Sequence, residues 1–401
     1  MIKNLGVFRE TNPWKKPLHI TKAVLAKNYL KLLPNTEVIA ITGSVGKTLT
    51  QNAIYSVLSQ KFNVVTGDEN LDPTFRIPQT ILKAKIWDQK MVLEFGVEHP
   101  HDMDHYLSII IPKIAVVTKI SPTHTKYLKS IEGVFNEKSK LVEAMPKNSI
   151  VFLNADDPLC HKMAKITKAR VIWYGMTAKK GVKISHFEQG LFGSKFRLHA
   201  NGQKASVKWK IIGHHQLTSA YAAAQVGIHC NLTLKQIAKG LSATKVPAHR
   251  LNIARHNTIK LIDDTYNSSP EAAKESIKTL LHVGKNKQKI AILGEMRDLG
   301  TQSEDFHSEL GKIVAKTGIK YLITVGNAAA LIAKSAKEYN FKGTIIIAKN
   351  IKEAIEKTKR IIKNSSVILV KGSRHEHLEG IVYSLLGKSV KINCYHCGTL
   401  S

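Results

Sequence analysis

One loop of the sequence is built for phosphate chemistry. In Ile41-Thr42-Gly43-Ser44-Val45-Gly46-Lys47-Thr48, an apolar run leads into two glycines, a lysine and a threonine. Glycines at 43 and 46 allow a tight turn whose N–H groups, with the start of a helix, face an anion. Lys47 would reach the β- and γ-phosphates of ATP, and the Thr48 hydroxyl would ligate Mg²⁺. The strict phosphate-loop pattern needs glycine at position 41, where Ile41 stands, so the alternative is a glycine turn capping an ordinary helix. Asp263 and Asp264, side by side at the end of another apolar run, point to a polar pocket, because paired carboxylates are unusual in a core. Other groupings carry less. Glu98, His99, His101, Asp102, Asp104 and His105 have the types of metal ligands but a spacing that fits no specific site. His375-Glu376-His377 reads as two exposed loop histidines, and Cys394-Tyr395-His396-Cys397 lacks a second ligand pair.

Such groups need elements to hold them. Short β-branched runs alternate with longer amphipathic segments, the pattern of βαβ units around a parallel sheet. Strands are predicted at 37–42, 62–66, 90–95, 114–119 and 149–153, with helices at 47–60 and 131–143 among those between them. An alternating stretch, 182–212, predicts a small antiparallel patch, followed by helices over 218–227 and 234–241. The pattern restarts near 244–250, with strands expected at 258–263, 289–293, 321–325, 344–347 and 367–371, and helices at 270–281 and 305–316. The fold class is therefore α/β. The expected organisation is a short segment over 1–36, helical at 21–33, a phosphate-loop domain with a parallel sheet over 37–243, and a Rossmann-like domain over 244–401.

At 401 residues the chain is too long for one core, and 43% hydrophobic with 22% charged residues is the composition of a folded protein. Lys+Arg 60 against Asp+Glu 30 gives a net charge of +30, which fits polyanionic partners in general without choosing one. A basic ATPase acting on nucleic acid is one reading. Aromatic residues at 6% and the lack of a basic helix with interleaved rings argue against stacking on bases, so no nucleic acid is expected. No apolar run is long enough to span a bilayer, no secretion signal opens the chain, and four scattered cysteines make no disulfide framework. A cytoplasmic monomer acting on small molecules is the expectation.

The motifs taken in order resemble the Mur ligases, the ATP-dependent amide-forming enzymes of cell-wall peptide assembly. The loop Thr42-Gly43-Ser44-Val45-Gly46-Lys47-Thr48 has that family's T-G-S-x-G-K-T form. Glu94-Phe95-Gly96 resembles its E-[LM]-G. Thr118-Lys119-Ile120-Ser121-Pro122-Thr123-His124 is similar to T-N-I-x-x-x-H, and Lys138 stands at the lysine of A-x-K. Asn154-Ala155-Asp156-Asp157-Pro158, Gly213-His214-His215 and Arg250-Leu251 follow in register. Three later segments narrow the resemblance to the D-alanyl-D-alanine-adding branch. They are Ile262-Asp263-Asp264-Thr265-Tyr266-Asn267-Ser268-Ser269-Pro270, Leu293-Gly294-Glu295-Met296-Arg297-Asp298-Leu299-Gly300 with His307, and Val370-Lys371-Gly372-Ser373-Arg374.

The resemblance implies an ATP-dependent ligase of peptidoglycan precursor synthesis. A carboxylate is phosphorylated to an acyl phosphate, an amine of an amino acid or of D-alanyl-D-alanine attacks, and ADP and phosphate leave. It makes Lys47, His124 and Lys138 catalytic. Gly43, Ser44, Val45, Gly46, Lys47, Thr48, His215, Arg250 and Asp264 would bind ATP. Asn70, Asn267, Lys371, Ser373 and Arg374 would bind substrate, and Thr48, Glu94, His124 and Lys138 would hold Mg²⁺. A carboxylate ending a buried strand is costly without charged partners, which favours a ligand role for Glu94. Glu98 reads as a surface carboxylate. For Lys138 the choices are a plain surface lysine or, as in several relatives, a carbamate that turns the cation into an anionic oxygen ligand.

Three departures from the family pattern stand out, two on the substrate side and one near the adenine. Only 36 residues precede the first strand, so the family's N-terminal UDP-sugar-binding domain is expected to be absent or vestigial. In the segment resembling N-x-N-x-x-x-G-x-P, Asp72 stands for the second asparagine and Arg76 for the glycine. Ser219 replaces an asparagine expected near the adenine. A Mur-type ligase for a different peptide or polyglutamyl-type acceptor is the alternative within the class.

Overall fold

The computed structural model describes residues 13–68, 72–390, 392–394 and 398–400. Asn70 and Cys397 lie outside the described residues, as does the side chain of Cys394. The chain divides into two compact units. The first holds the described residues up to Glu188 with Ser194–Lys210 and Gln216–Lys245; the second holds Gln189–Gly193, Ile211–His215 and the described residues from Val246 onward.

In the first unit, strands β1 (Glu37–Thr42), β2 (Val64–Thr66), β3 (Lys90–Glu94), β4 (Ile114–Val117), β5 (Ile150–Asn154) and β6 (Arg170–Tyr174) form one parallel sheet in the order β2-β3-β1-β4-β5-β6. β1 is almost wholly apolar and buried, as a central parallel strand with both faces covered must be. Helix α1 (Lys16–Tyr29) precedes the sheet, and α2 (Lys47–Leu58), α3 (Pro73–Lys83), α4 (Asp102–Ile109), α5 (Thr125–Leu128), α6 (Ile131–Glu143) and α7 (Pro158–Met163) lie in the crossovers. Local chemistry sets their starts. The Asp72 carboxylate accepts the Thr74 N–H ahead of Pro73 at the head of α3, and Ser130 does the same for Gly133 in α6. One core cluster joins Ala40, Leu93, Val117, Ile77, Leu141 and Leu153, which packs α3 and α6 onto one face of the sheet.

The expected antiparallel patch is a three-stranded sheet of β7 (Lys183–Gly190), β8 (Gly193–Ala200) and β9 (Gln203–Trp209), followed by α8 (Leu217–His229) and α9 (Leu234–Ser242). Two expectations shift. The first helix starts at Lys16, earlier than its apolar spacing suggested, and tightens to a 3₁₀ turn over Leu30–Leu32. The strand expected to reach 119 stops at Val117, because Thr118 and Lys119 turn away to bond the phosphate loop.

The second unit repeats the logic. Strands β10 (Asn252–His256), β11 (Ile259–Asp264), β12 (Lys289–Leu293), β13 (Tyr321–Val325), β14 (Thr344–Ala348) and β15 (Val367–Lys371) run in the order β10-β11-β15-β12-β13-β14. All are parallel except β10, an antiparallel edge that the sequence pattern did not reveal. Helices α10 (Pro270–Val283), α11 (Ser303–Ala315), α12 (Ala330–Glu338), α13 (Ile351–Ile361) and α14 (Glu379–Leu385) pack on its faces. A two-stranded ribbon, β16 (Ile392–Cys394) and β17 (Gly398–Leu400), ends the described chain.

Candidate active site

Sheet register builds the phosphate-loop site of the first unit. Ile41 pairs with Glu94 and Thr42 with Val117, so β1, β3 and β4 end level with one another. The strand order reverses at β1, and ligands of open α/β sheets bind at such a switch point, beyond the strand carboxyl ends. The loop there depends on two glycines. Gly43 has φ +143°, and a Cβ on it would meet Thr118 Oγ1 at 1.9 Å. Gly46 has φ +82° and immediately precedes α2, so Lys47 and Thr48 are that helix's first residues. The loop is pinned from β4: Ser44 N–H donates to Lys119 O at 2.6 Å, Ser44 Oγ to Ser121 O at 2.8 Å and Thr118 Oγ1 to Val45 O at 2.7 Å. A helix N-terminus opening from a glycine cradle is an anion site.

Beside it, the Thr48 hydroxyl donates to Glu94 Oε2 at 2.9 Å, and Lys47 Nζ stands 4.0 Å from Glu94 Oε1. Arg76, from α3, places Nη2 3.2 Å from Glu94 Oε2, and both side chains are buried. A buried carboxylate thus has two cations and a hydroxyl around it, which offsets its desolvation.

His124 adopts a left-handed backbone (φ +55°) at the start of α5, and its Nε2 lies 3.9 Å from Glu98 Oε1. Glu98 is exposed, as expected of a surface carboxylate, and lies beside His124. Lys138 is 1% exposed, which overturns the surface-lysine alternative. Burial first, then the Lys47 charge, pushes its ammonium well below the usual lysine range, against the opposing pull of Glu137, Glu98 and Asp102. The neighbouring acids are stacked too. Burial raises the Asp72 carboxyl to about 6, opposed by its bonds from Thr74 and helped by the charges of Glu98 and Asp102.

In the second unit Asp264 and Lys371 end paired strands in register, and Lys371 Nζ lies 2.7 Å from Asp264 Oδ2. Lys371 also donates to Asn267 O at 2.9 Å, and Ser276 Oγ to Asp264 Oδ2 at 2.5 Å. Lys371 is 2% exposed, and the ion pair with Asp264 offsets the cost of burying its charge. The adjacent Asp263 takes His249 Nδ1 at 2.7 Å, and that bond raises the His249 pKa. Each aspartate of the pair therefore has its own partner, Lys371 for Asp264 and His249 for Asp263.

Arg250 lies over the Tyr266 ring at 4.1 Å, and the Arg374 guanidinium is 6.0 Å from the same ring while donating to Glu379 at 3.0 Å. Ser373 is fixed by Glu376, which accepts its N–H at 3.0 Å. Burial lifts the Glu376 carboxyl to about 7, opposed by N–H donors from Glu295 and Ser373. His215 Nδ1 lies 3.4 Å from Glu275, and the nearby imidazole with Lys278 helps hold the Glu275 carboxyl down at about 2.

The sequence profile of the Mur ligase middle domain matches residues 41–227, and that of the Mur ligase, glutamate ligase domain matches residues 249–374. The UDP-N-acetylmuramoyl-tripeptide--D-alanyl-D-alanine ligase of Buchnera aphidicola subsp. Baizongia pistaciae is 30% identical over 88% of this chain and 76% of its own length. The chain belongs to the Mur ligase family. The Bacillus subtilis ligase of the same name is 29% identical over 90% of this chain and 78% of its own. A crystal structure of MurF from Acinetobacter baumannii shares the fold, with a TM-score of 0.84 at 24% identity, over 92% of this chain and 81% of that one.

Three residues that contact the candidate site residues of this Mur ligase are not singled out by the sequence. In the sequence Arg76 is visible only as a departure from a glycine position. Tyr266 sits inside a motif but carries no charge, and its role as a platform for two arginines appears only in three dimensions. Ser219, the replaced asparagine, is buried and takes a bond from Thr50 Oγ1 at 2.9 Å, behind the phosphate loop. The only available signal was the mismatch with the family pattern at 76 and 219.

Proposed function

We propose that the chain is an ATP-dependent ligase of peptidoglycan precursor synthesis, which activates a carboxylate as an acyl phosphate and joins it to the amine of D-alanyl-D-alanine in the cytoplasm. The observation that carries this reading is the level ending of β1 and β3, which sets the Gly43–Thr48 loop and Glu94 side by side. The names of the relatives support the acceptor.

The phosphate loop fits the nucleotide: Gly43 lets the loop pack against Thr118, where a Cβ would clash, and the N–H groups of the loop and α2 supply donors. Thr48 and Glu94 are hard oxygen donors, and one carboxylate with a hydroxyl is the kind of protein contribution Mg²⁺ takes when phosphates supply further oxygens. Bound there, Mg²⁺ would neutralise charge between the β- and γ-phosphates. Lys47 carries positive charge to the γ-phosphoryl as it moves to the carboxylate, so the ADP oxygen leaves with its charge compensated. His124 and Lys138 are assigned to the acyl-phosphate end. A lysine whose ammonium is destabilised by burial holds a larger share of free amine, the form that combines with CO₂ to give a carbamate and a proton. In the second unit we assign His215 to the adenine, Arg250 to the nucleotide phosphate, and Arg374, Ser373 and Asn267 to the acceptor. Lys371 and Asp264 act as a pair that fixes the β11 and β15 ends. Asn70 keeps its substrate assignment by resemblance.

The test is ADP release across a panel: D-alanyl-D-alanine with the UDP-muramoyl tripeptide, single amino acids including glutamate, and nucleic acid. Release coupled to the first pair supports the proposal. Stimulation by nucleic acid alone overturns it.

A further inference from the structure

The N-terminal helix carries an apolar stripe on its outer side. Its inner face, Ala23 and Ala26 with the His19 ring 4.4 Å from Phe75, packs toward α3. On the outside, Trp14 is 91% exposed, Leu18 52%, Leu25 53% and Leu32 64%. Spacings of four, seven and seven residues align them along one side of the helix and its flanking turns. Exposed Lys15, Lys22 and Lys31 border the stripe, and between residues 13 and 36 the sequence has five lysines and no acid.

A second apolar point adjoins its C-terminal end. Thr36 Oγ1 donates to Asp88 O and Tyr29 OH to Ala84 O, which ties the segment to the 84–88 turn. That turn exposes Ile86 (70%) and Trp87 (59%), with the Lys85 ammonium 5.2 Å from the Trp87 ring. The nearby carboxylates are engaged: Asp88 accepts the Lys85 N–H, and Glu37 pairs with Lys90.

We propose that this face docks the protein peripherally on an anionic lipid surface. Leucines and tryptophans enter the headgroup–acyl boundary while the bordering lysines meet lipid phosphates, the arrangement of helices that lie in a membrane interface. No helix among the described residues is long and apolar enough to cross a membrane, so the docking is superficial and reversible. A second copy is a poor occupant, because a two-fold contact would set one lysine border against the other. The chain's +30 charge adds long-range attraction to the same surface.

The experiment is co-sedimentation of the full chain with vesicles of phosphatidylcholine alone or with about 30% phosphatidylglycerol, at salt from about 50 to 300 mM. Binding is expected only to the anionic vesicles, weaker at high salt, and at least about tenfold weaker for Leu18→Ser/Leu25→Ser, because each lost side chain forfeits its apolar transfer. Both leucines are half-exposed, so the variant should keep the wild-type melting temperature; Lys22→Glu/Lys31→Glu provides an independent second variant with the same expected loss. No binding to anionic vesicles overturns the proposal. So does binding that the leucine variant retains in full, which would be bulk charge attraction, and so does self-association in solution that Leu25→Ser abolishes.

Discussion

Replacing Arg76 with methionine should expose how the Glu94 carboxylate is kept in a buried place. The guanidinium lies 3.2 Å from Glu94 Oε2, where a Coulomb attraction of about 5 kcal/mol follows at an effective dielectric of about 20. Desolvation of both groups offsets much of that, so the pair itself has little net worth. Removing one partner is different, because Glu94, 7% exposed, would lose its nearest buried cation while keeping its charge beside the Thr48 hydroxyl and Lys47 at 4.0 Å. The expected loss is about 3–5 kcal/mol. Methionine retains the apolar stem, which packs closely on Gly67, so cavity formation contributes little. All four tryptophans, Trp14, Trp87, Trp173 and Trp209, lie in the first unit, so their fluorescence in urea follows that unit alone. With a slope of about 3 kcal/mol/M, the midpoint should fall by about 1 M or more. Adding Glu94→Gln should recover most of the loss, and Mg²⁺ with ATP should stabilise the single variant more than wild type, because the incoming cation replaces the lost charge. An unchanged midpoint, or a double variant whose loss equals the sum of the two single losses, would refute the argument that the pair is coupled.

Lys47→Ala should lower acceptor-dependent ADP release by about 10²–10³, the usual cost of one lost charge contact to a developing transition state; release within a few-fold of wild type would remove this loop from the catalysis. Gly43→Ala should abolish nucleotide binding in calorimetry, since its Cβ would fall 1.9 Å from Thr118 Oγ1, and retained affinity would show that the loop can rearrange. Lys138→Ala should stop ligation, with partial rescue by formate or acetate at matched ionic strength; a dead variant that no carboxylate rescues leaves the carbamate without support. For Glu376 the folded pKa of about 7 stands above the ordinary 4.5, so the folded state holds the proton more tightly. Its stabilising contribution is full below about 4.5 and is lost as pH rises through about 7, a span worth up to about 3 kcal/mol. The fall in second-unit stability between these pH values should be shallower in Glu376→Gln, and an equal slope would place the titration elsewhere.

Much of the architecture was legible because it is local. Val38–Thr42 is an apolar run followed by glycines and Lys47, and such a run can only be a buried strand leading into a loop and helix. The antiparallel edge β10 was not legible, since a half-buried edge strand has neither the apolar run nor the strict alternation that marks the others. The same division runs through the site. Gly43, Gly46, Lys47 and Thr48 are neighbours in sequence, and backbone sterics with helix polarity give their chemistry before any fold is known.

Glu94 was recognisable as a costly carboxylate at a strand end, but its partners were not, because Arg76 is eighteen positions away and reaches it only after α3 packs on the sheet. Lys138 is the sharpest case. Helical spacing among other lysines gave no sign of burial, and only the packing of α6 sets it 1% exposed within reach of Lys47's charge. The Asp264–Lys371 pair likewise depends on β15 inserting between β11 and β12, a long-range pairing that chain order does not announce. Sequence by itself determined residue types and local backbone, because these follow from sterics and periodicity over a few residues. Charge pairing and burial were decided by tertiary structure, since both depend on which distant segments the sheet register brings level.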